Sequence, residues 1–143
     1  MNNDIKLASS LRAVTSHLFK RLRRETRIEE DLSMTELATL ANLYHNRANY
    51  PSELAALEKV KTQSMSQVLN HLEDLRLIER TPSETDKRKT AISLSVHGRE
   101  MVAKTRLERD EWLADAIETH LTPKQKAIIE EAVDILQTLA DVK

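Results

Sequence analysis

The chain has 143 residues, 40% hydrophobic and 31% charged, and its 22 lysines and arginines nearly balance 23 acidic residues, for a net charge of -1. Such a chain fits one soluble globular domain, and its bulk charge gives no argument for nucleic acid. The absence of cysteine excludes disulfides, thiolate metal sites and sulfur redox sensing other than through methionine, and with no signal-type segment and no apolar run near the roughly 20 residues of a membrane helix, a cytoplasmic protein is expected.

Charge placement is more informative than charge balance. Arg12, Lys20, Arg21, Arg23, Arg24 and Arg27 crowd the first helical segment, whereas residues 108–143 are acidic on balance. One face should therefore repel a polyanion while another tolerates it.

Only Gly98 and the prolines Pro51, Pro82 and Pro123 punctuate the sequence, which predicts long helices with short connections. Leu7, Leu11, Val14, Leu18 and Leu22 draw an apolar stripe along a first helix over residues 4–27. Ser33 and Glu36 form a capping box for a second helix, which carries Leu37, Leu40, Ala41 and Tyr44 inward and ends near Asn46. Pro51 suits the first turn of a short third helix ending around Lys59, with Leu54, Ala55 and Leu57 on its buried face.

The fourth helix is expected to begin at Thr62, whose hydroxyl would cap it, and to bury Met65, Val68, Leu69, Leu72 and Leu75. Ser64, Gln67, Asn70, His71 and Asp74 fall outside that stripe. From Ile78 the period changes to that of two strands: Ile78 and Arg80, then Thr90, Ile92 and Leu94, with Pro82, Ser83, Glu84 and Asp86 marking the loop between them. Their register is not readable from sequence. Ser95 should cap a long helix reaching about His120, and Thr122, Pro123 and Gln125 open a final helix through Ile128, Ile129, Ala132, Val133, Leu136 and Leu139.

Lys87, Arg88 and Lys89 stand in the hairpin loop directly after the fourth helix. A helix followed by a cationic hairpin reads as a recognition helix and wing, the pair with which winged helix-turn-helix domains grip double-stranded DNA. The DNA-facing set is then Thr62, Gln63, Ser64, Ser66, Gln67 and Asn70 on the helix, with Lys87, Arg88 and Lys89 in the wing. Gln67 and Asn70 carry amides that can pair bidentately with adenine, and the Arg88 guanidinium suits a narrow minor groove. Asp86 is expected to orient an arginine or close the loop on backbone N–H groups. The competing readings are a solvated helix face, a cationic tip that keeps a hairpin edge from aggregating, or a winged-helix surface for protein or RNA in place of an operator.

The segments PSELAAL, QSMSQVLNHLEDLRLIER, DKRK and ISLSVHGRE together resemble the multiple-antibiotic-resistance regulator (MarR) family of bacterial transcription factors, and the resemblance spans essentially the whole chain. It implies a mainly α fold with a small β-wing: a single domain over 1–143, with a winged helix-turn-helix at 33–95 and a helical dimerisation region at 1–30 and 96–143. It also implies a regulator, most often a repressor, that acts as a homodimer on an inverted-repeat operator. A small aromatic or anionic effector would release it, for which Arg12, His17, Arg21 and Tyr44 are the candidate contacts. Apolar stripes on terminal helices this long independently call for a partner chain. One departure stands out: Arg76 and Leu77 occupy the junction where the family commonly has glycine, so Arg76 either bears left-handed strain or the turn differs.

Nothing in the chain assembles a nucleophile with a base, a phosphate loop or a metal-binding histidine pair. His17, His45, His71, His97 and His120 are scattered. No enzyme, cofactor, metal or membrane partner is expected. The basic residues of the first helix have a structural alternative to anion binding, namely pairing with Glu25, Glu29 and Glu30.

Overall fold

The structure, a computed structural model, describes residues 2–26 and 31–143. Its order is α1 (Asn3–Arg24), α2 (Met34–Tyr44), α3 (Pro51–Leu57), α4 (Thr62–Asp74), β1 (Ile78–Pro82), β2 (Thr90–Leu94), α5 (Val96–His120) and α6 (Pro123–Ala140). The fold is mainly α with a two-stranded wing. The chain divides into two compact units, Arg27–Arg106 and a second made of Met1–Thr26 with Leu107–Lys143.

In the Arg27–Arg106 unit, α2, α3 and α4 pack with the hairpin around a core led by Leu40, Leu54, Met65, Leu69, Leu72, Leu77 and Ile92. Capping fixes where its helices start. Ser33 accepts the Glu36 N–H at 3.1 Å while the Glu36 carboxylate accepts the Ser33 N–H at 3.1 Å, the reciprocal box that ends backbone fraying at α2. At α4 the expectation fails: Thr62 is the first helical residue, Lys61 precedes it without a side-chain cap, and the Thr62 carbonyl instead receives the Ser66 hydroxyl at 3.0 Å. Leu57 is likewise exposed, because α3 ends with it and only Leu54 and Ala55 face the core. In α2 the buried positions are Thr39, Leu40, Asn42 and Leu43, while Leu37, Ala41 and Tyr44 lie at the core margin.

Three helices end alike. Asn46, Lys59 and Arg76 have φ of 54°, 53° and 61°. Each sits one residue past its helix cap, and the following N–H reaches back to the helix: Arg47 to the Asn42 carbonyl at 3.0 Å, Val60 to Ala55 at 3.0 Å and Leu77 to Leu72 at 3.0 Å. These are Schellman endings, which satisfy orphan carbonyls and normally favour glycine at the left-handed position. Arg76 therefore bears the left-handed backbone, at a cost of about 1–2 kcal/mol for an L-residue. The turn directs Leu77 into the core beside Leu72, both fully buried.

That turn is clamped by the start of α5. The Ser95 hydroxyl donates to the Arg76 carbonyl at 2.6 Å and accepts the Gly98 N–H at 2.9 Å, while the Ser95 N–H donates to the Leu77 carbonyl at 3.0 Å. A Cβ on Gly98 would overlap the Leu77 carbonyl oxygen. The single glycine of the chain is thus explained by close approach.

The strands are antiparallel in the register Ile78↔Leu94, Arg80↔Ile92 and Pro82↔Thr90. Pro82 closes β1 and is not a loop residue. Ile78, Ile92 and Leu94 are buried, and the Ile92 N–H donates to the Asn49 carbonyl at 2.7 Å, which sews the wing to the segment before α3.

In the other unit, α1 runs to Arg24; the expected end at Arg27 lies outside the described residues. Helix α6 opens on the expected box, Thr122 accepting the Gln125 N–H at 3.2 Å and Gln125 accepting the Thr122 N–H at 2.9 Å. Among the described residues, no buried apolar side chain of the core belongs to this unit. Its large apolar side chains stand in the open instead: Leu7, Val14 and Leu18 of α1, and Ile128, Val133, Leu136 and Leu139 of α6.

Candidate nucleic-acid interface

Helix α4 buries Met65, Leu69 and Leu72, and this fixes which side faces outward. Gln63, Ser66, Gln67 and Asn70, at i, i+3, i+4 and i+7, form an exposed polar stripe opposite that core face, with Thr62 and Ser64 exposed at the helix start. Ser66 turns its hydroxyl back to the Thr62 carbonyl. Asn70 is committed as well: its Oδ1 accepts from Arg80 Nη2 at 2.7 Å. Among the described residues, no side-chain hydrogen bond engages Gln63, Ser64 or Gln67, whose polar groups face outward.

The helix is held from both ends of the motif. His71 Nδ1 lies 2.7 Å from Glu36 Oε1, joining α4 to the capping box of α2. The Thr39 hydroxyl, buried in α2, faces Met65 Sδ at 3.9 Å. Between α2 and α3, Asn42 Nδ2 donates to Glu58 Oε1 at 2.8 Å and its oxygen accepts from Arg47 at 3.3 Å. These bonds tie α4 to α2, and α2 to the end of α3.

The wing is ordered by Ser83, which is buried. Its Oγ accepts the N–H groups of Thr85 and Asp86 at 3.3 Å each and lies 3.1 Å from the Thr85 hydroxyl and 2.6 Å from the Tyr50 hydroxyl. The Ser83 N–H donates to the Lys89 carbonyl and the Lys89 N–H to the Asp86 carbonyl, both at 2.9 Å. Lys89 Nζ lies 5.2 Å from the centre of the Tyr50 ring, a distance suited to cation–π attraction. Hydrogen bonds from Ser83 and then Thr85 draw the Tyr50 phenol below its ordinary range.

Asp86 Oδ1 accepts the Arg88 N–H at 3.0 Å and stands 3.4 Å from Arg88 Nε. It therefore closes the loop and faces the arginine at once. The Arg88 side chain is 92% exposed, so the guanidinium faces outward from a fixed backbone while its Nε stays on Asp86. Lys87 is exposed beside it.

Two of the four residues expected to meet an effector line one recess. His17 and Arg21 line a recess of about 410 Å³ with Val14, Leu18 and Trp112, where the Arg21 guanidinium lies 5.2 Å from the Trp112 ring centre. Arg12 is exposed and outside that lining. Tyr44 belongs to the Arg27–Arg106 unit, where the guanidinium groups of Arg106 and Arg99 approach its ring at 5.3 and 5.8 Å. Arg21 also pairs with Glu25 at 2.9 Å; Glu29 and Glu30 lie outside the described residues.

Sequence reasoning missed Tyr50, Ser83, Arg80 and Trp112. Ser83 stands in a Ser-x-Thr-Asp run, the type of segment in which a hydroxyl collects turn N–H groups, and that was the one available signal. The partnership of Tyr50 with Ser83 spans 33 positions and leaves no local trace.

Comparison with known proteins gives the family and the fold. Residues 32–90 match the MarR family. A helix-turn-helix-type transcriptional regulator of Mycobacterium bovis, itself uncharacterized, is 32% identical over 99% of this chain and 97% of its own length. A solved structure of a candidate transcriptional regulator from Pseudomonas aeruginosa is 31% identical, with a TM-score of 0.89, over 100% of this chain and 99% of that one. A point mutant of Staphylococcus aureus MepR bound to an oligodeoxyribonucleotide shares the fold, with a TM-score of 0.68 at 18% identity over 93% of this chain and 97% of that one.

Proposed function

The chain belongs to the MarR family of DNA-binding transcriptional regulators, and from that premise we propose that it is a homodimeric repressor of an inverted-repeat operator, released by a small molecule. The observation that carries the dimer is the unit formed by Met1–Thr26 and Leu107–Lys143, which has no buried apolar core among its described residues yet exposes Leu7, Val14, Leu18, Ile128, Val133, Leu136 and Leu139. At about 25 cal/mol per Å² of apolar surface removed from water, covering such helices with a second copy is the dominant available gain. A two-fold pair presents two copies of α4 to successive major grooves, and the operator repeat mirrors that symmetry.

In this reading Thr62, Gln63, Ser64, Ser66, Gln67 and Asn70 meet the major groove, while Lys87, Arg88 and Lys89 meet phosphates and the minor groove. Backbone contacts supply affinity and salt dependence; the amides supply sequence choice. The recess of Val14, His17, Leu18, Arg21 and Trp112 suits a small aromatic anion, which would stack on the indole and pair with the guanidinium. Such an effector needs only differential affinity for two dimer states, and shifting that equilibrium a hundredfold takes about 2.7 kcal/mol. With DNA as partner, the protein works in the cytoplasm.

Selection of bound fragments from random or genomic duplexes tests the proposal. A palindromic sequence should emerge, retained by a complex containing two chains. Recovery of unrelated fragments, or of a single non-repeated site bound by one chain, would overturn it.

A further inference from the structure

Asn70 and Arg80 are arranged in a way that bears on which base the helix reads. Arg80 Nη2 donates to Asn70 Oδ1 at 2.7 Å. A guanidinium has donors and no acceptor, so the carbonyl oxygen of the amide, and not its nitrogen, has to face it. Arg80 is itself held in place: it lies on β1 in register with the buried Ile92, its side chain is 29% exposed, and its Nε stands 3.4 Å from Oε1 of Glu73, about one turn beyond Asn70 on α4. Turning the Asn70 amide over would break a charge-assisted bond and set two donor groups against each other. No hydrogen bond within the described residues engages Asn70 Nδ2, and the residue stands in the exposed stripe with Gln63, Ser66 and Gln67.

From this geometry we infer that Asn70 is a specificity-determining residue that presents donors only, set in that orientation by Arg80. It selects a base with acceptors on its major-groove edge, guanine through N7 and O6 or thymine through O4. It disfavours the bidentate adenine pairing open to a free amide, because Arg80 takes one lone pair of Oδ1 and fixes the direction of the oxygen, so the N6 donor of adenine would have to reach the remaining lone pair beside the guanidinium. The inference rests on the proposed entry of α4 into the major groove.

The test uses the full-length protein and the duplex it prefers, varied to all four bases at each position of one half-site, with affinities compared at a single salt concentration. Wild type should show one position at which guanine or thymine is favoured by about 5- to 150-fold. Asn70→Asp keeps an oxygen for Arg80 and replaces the outward donor with an acceptor, so the preference there should turn to cytosine or adenine, whatever the overall loss of affinity. Arg80→Met releases the amide and should admit adenine at the same position. A wild-type preference for adenine at the position that responds to Asn70→Asp would overturn the inference. So would an Asn70→Asp pattern identical to wild type while Gln67→Ala changes a preference, an outcome that leaves helix insertion standing. If neither Asn70→Asp nor Gln67→Ala alters any preference, helix insertion itself falls, and the inference with it. Should Arg80→Met lose helical content, the Asn70→Asp comparison decides alone.

Discussion

The Tyr50 hydroxyl lies 2.6 Å from the Ser83 Oγ, so the residue immediately before α3 is tied to the buried turn of the wing. Ser83 in turn collects the N–H groups of Thr85 and Asp86, and Lys89 lies over the Tyr50 ring. The wing is therefore set from the helical side, with Lys87 and Arg88 exposed at its tip.

Replacing Tyr50 by Phe removes that hydroxyl bond and keeps the ring under Lys89. With a net value of about 0.5–1.5 kcal/mol for one such bond, operator affinity should fall roughly 2- to 12-fold. Helical content by circular dichroism should be unchanged, and the loss should appear in binding isotherms on the selected duplex. Unaltered affinity would mean that the wing needs no support from Tyr50.

Arg88→Ala should weaken operator binding and flatten its salt dependence, the slope of log affinity against log salt decreasing by about 0.9 as one phosphate contact disappears. The side chain is 92% exposed, so folding should survive. Leu72→Ala, in the fully buried core, should by contrast cost about 2–5 kcal/mol of stability. A salt titration and a urea melt of each variant separate the two effects.

The left-handed Arg76 and the crowded Gly98 predict opposite responses to small substitutions. Arg76→Gly relieves the φ of 61° and should stabilise by about 0.5–1 kcal/mol once the extra freedom of the unfolded chain is set against the relieved strain. Gly98→Ala forces a Cβ onto the Leu77 carbonyl and should destabilise by about 1–3 kcal/mol. Denaturant midpoints measure both.

Removing residues 1–27 takes away the apolar stripe of Leu7, Val14 and Leu18, and on the dimer account the product should be unfolded or aggregated. Light scattering with circular dichroism reads the outcome; a well-folded monomer would count against a shared terminal core.

How much of this was legible in sequence follows from which interactions are local. Ser33 with Glu36 and Thr122 with Gln125 are capping boxes closed within one turn, and both formed as read. The stripe of Met65, Leu69 and Leu72 oriented α4 for the same reason. Periodicity failed at Leu57, because the helix carrying it stops there, and the capping expectation failed at Thr62, because that residue lies just inside the helix instead of just before it. The bonds of Asn70 to Arg80 and Tyr50 to Ser83 depend on strand register and on how the hairpin folds back, neither of which a single sequence encodes locally.

Hydroxyl-radical footprinting of the selected duplex tests the central claim most directly. A dimer with α4 in the groove and the wing alongside should give protection related by two-fold symmetry, with the two half-site centres separated by about 10–10.5 base pairs or a multiple of one helical turn. Protection of one unpaired patch, or none at concentrations that saturate binding, would contradict it.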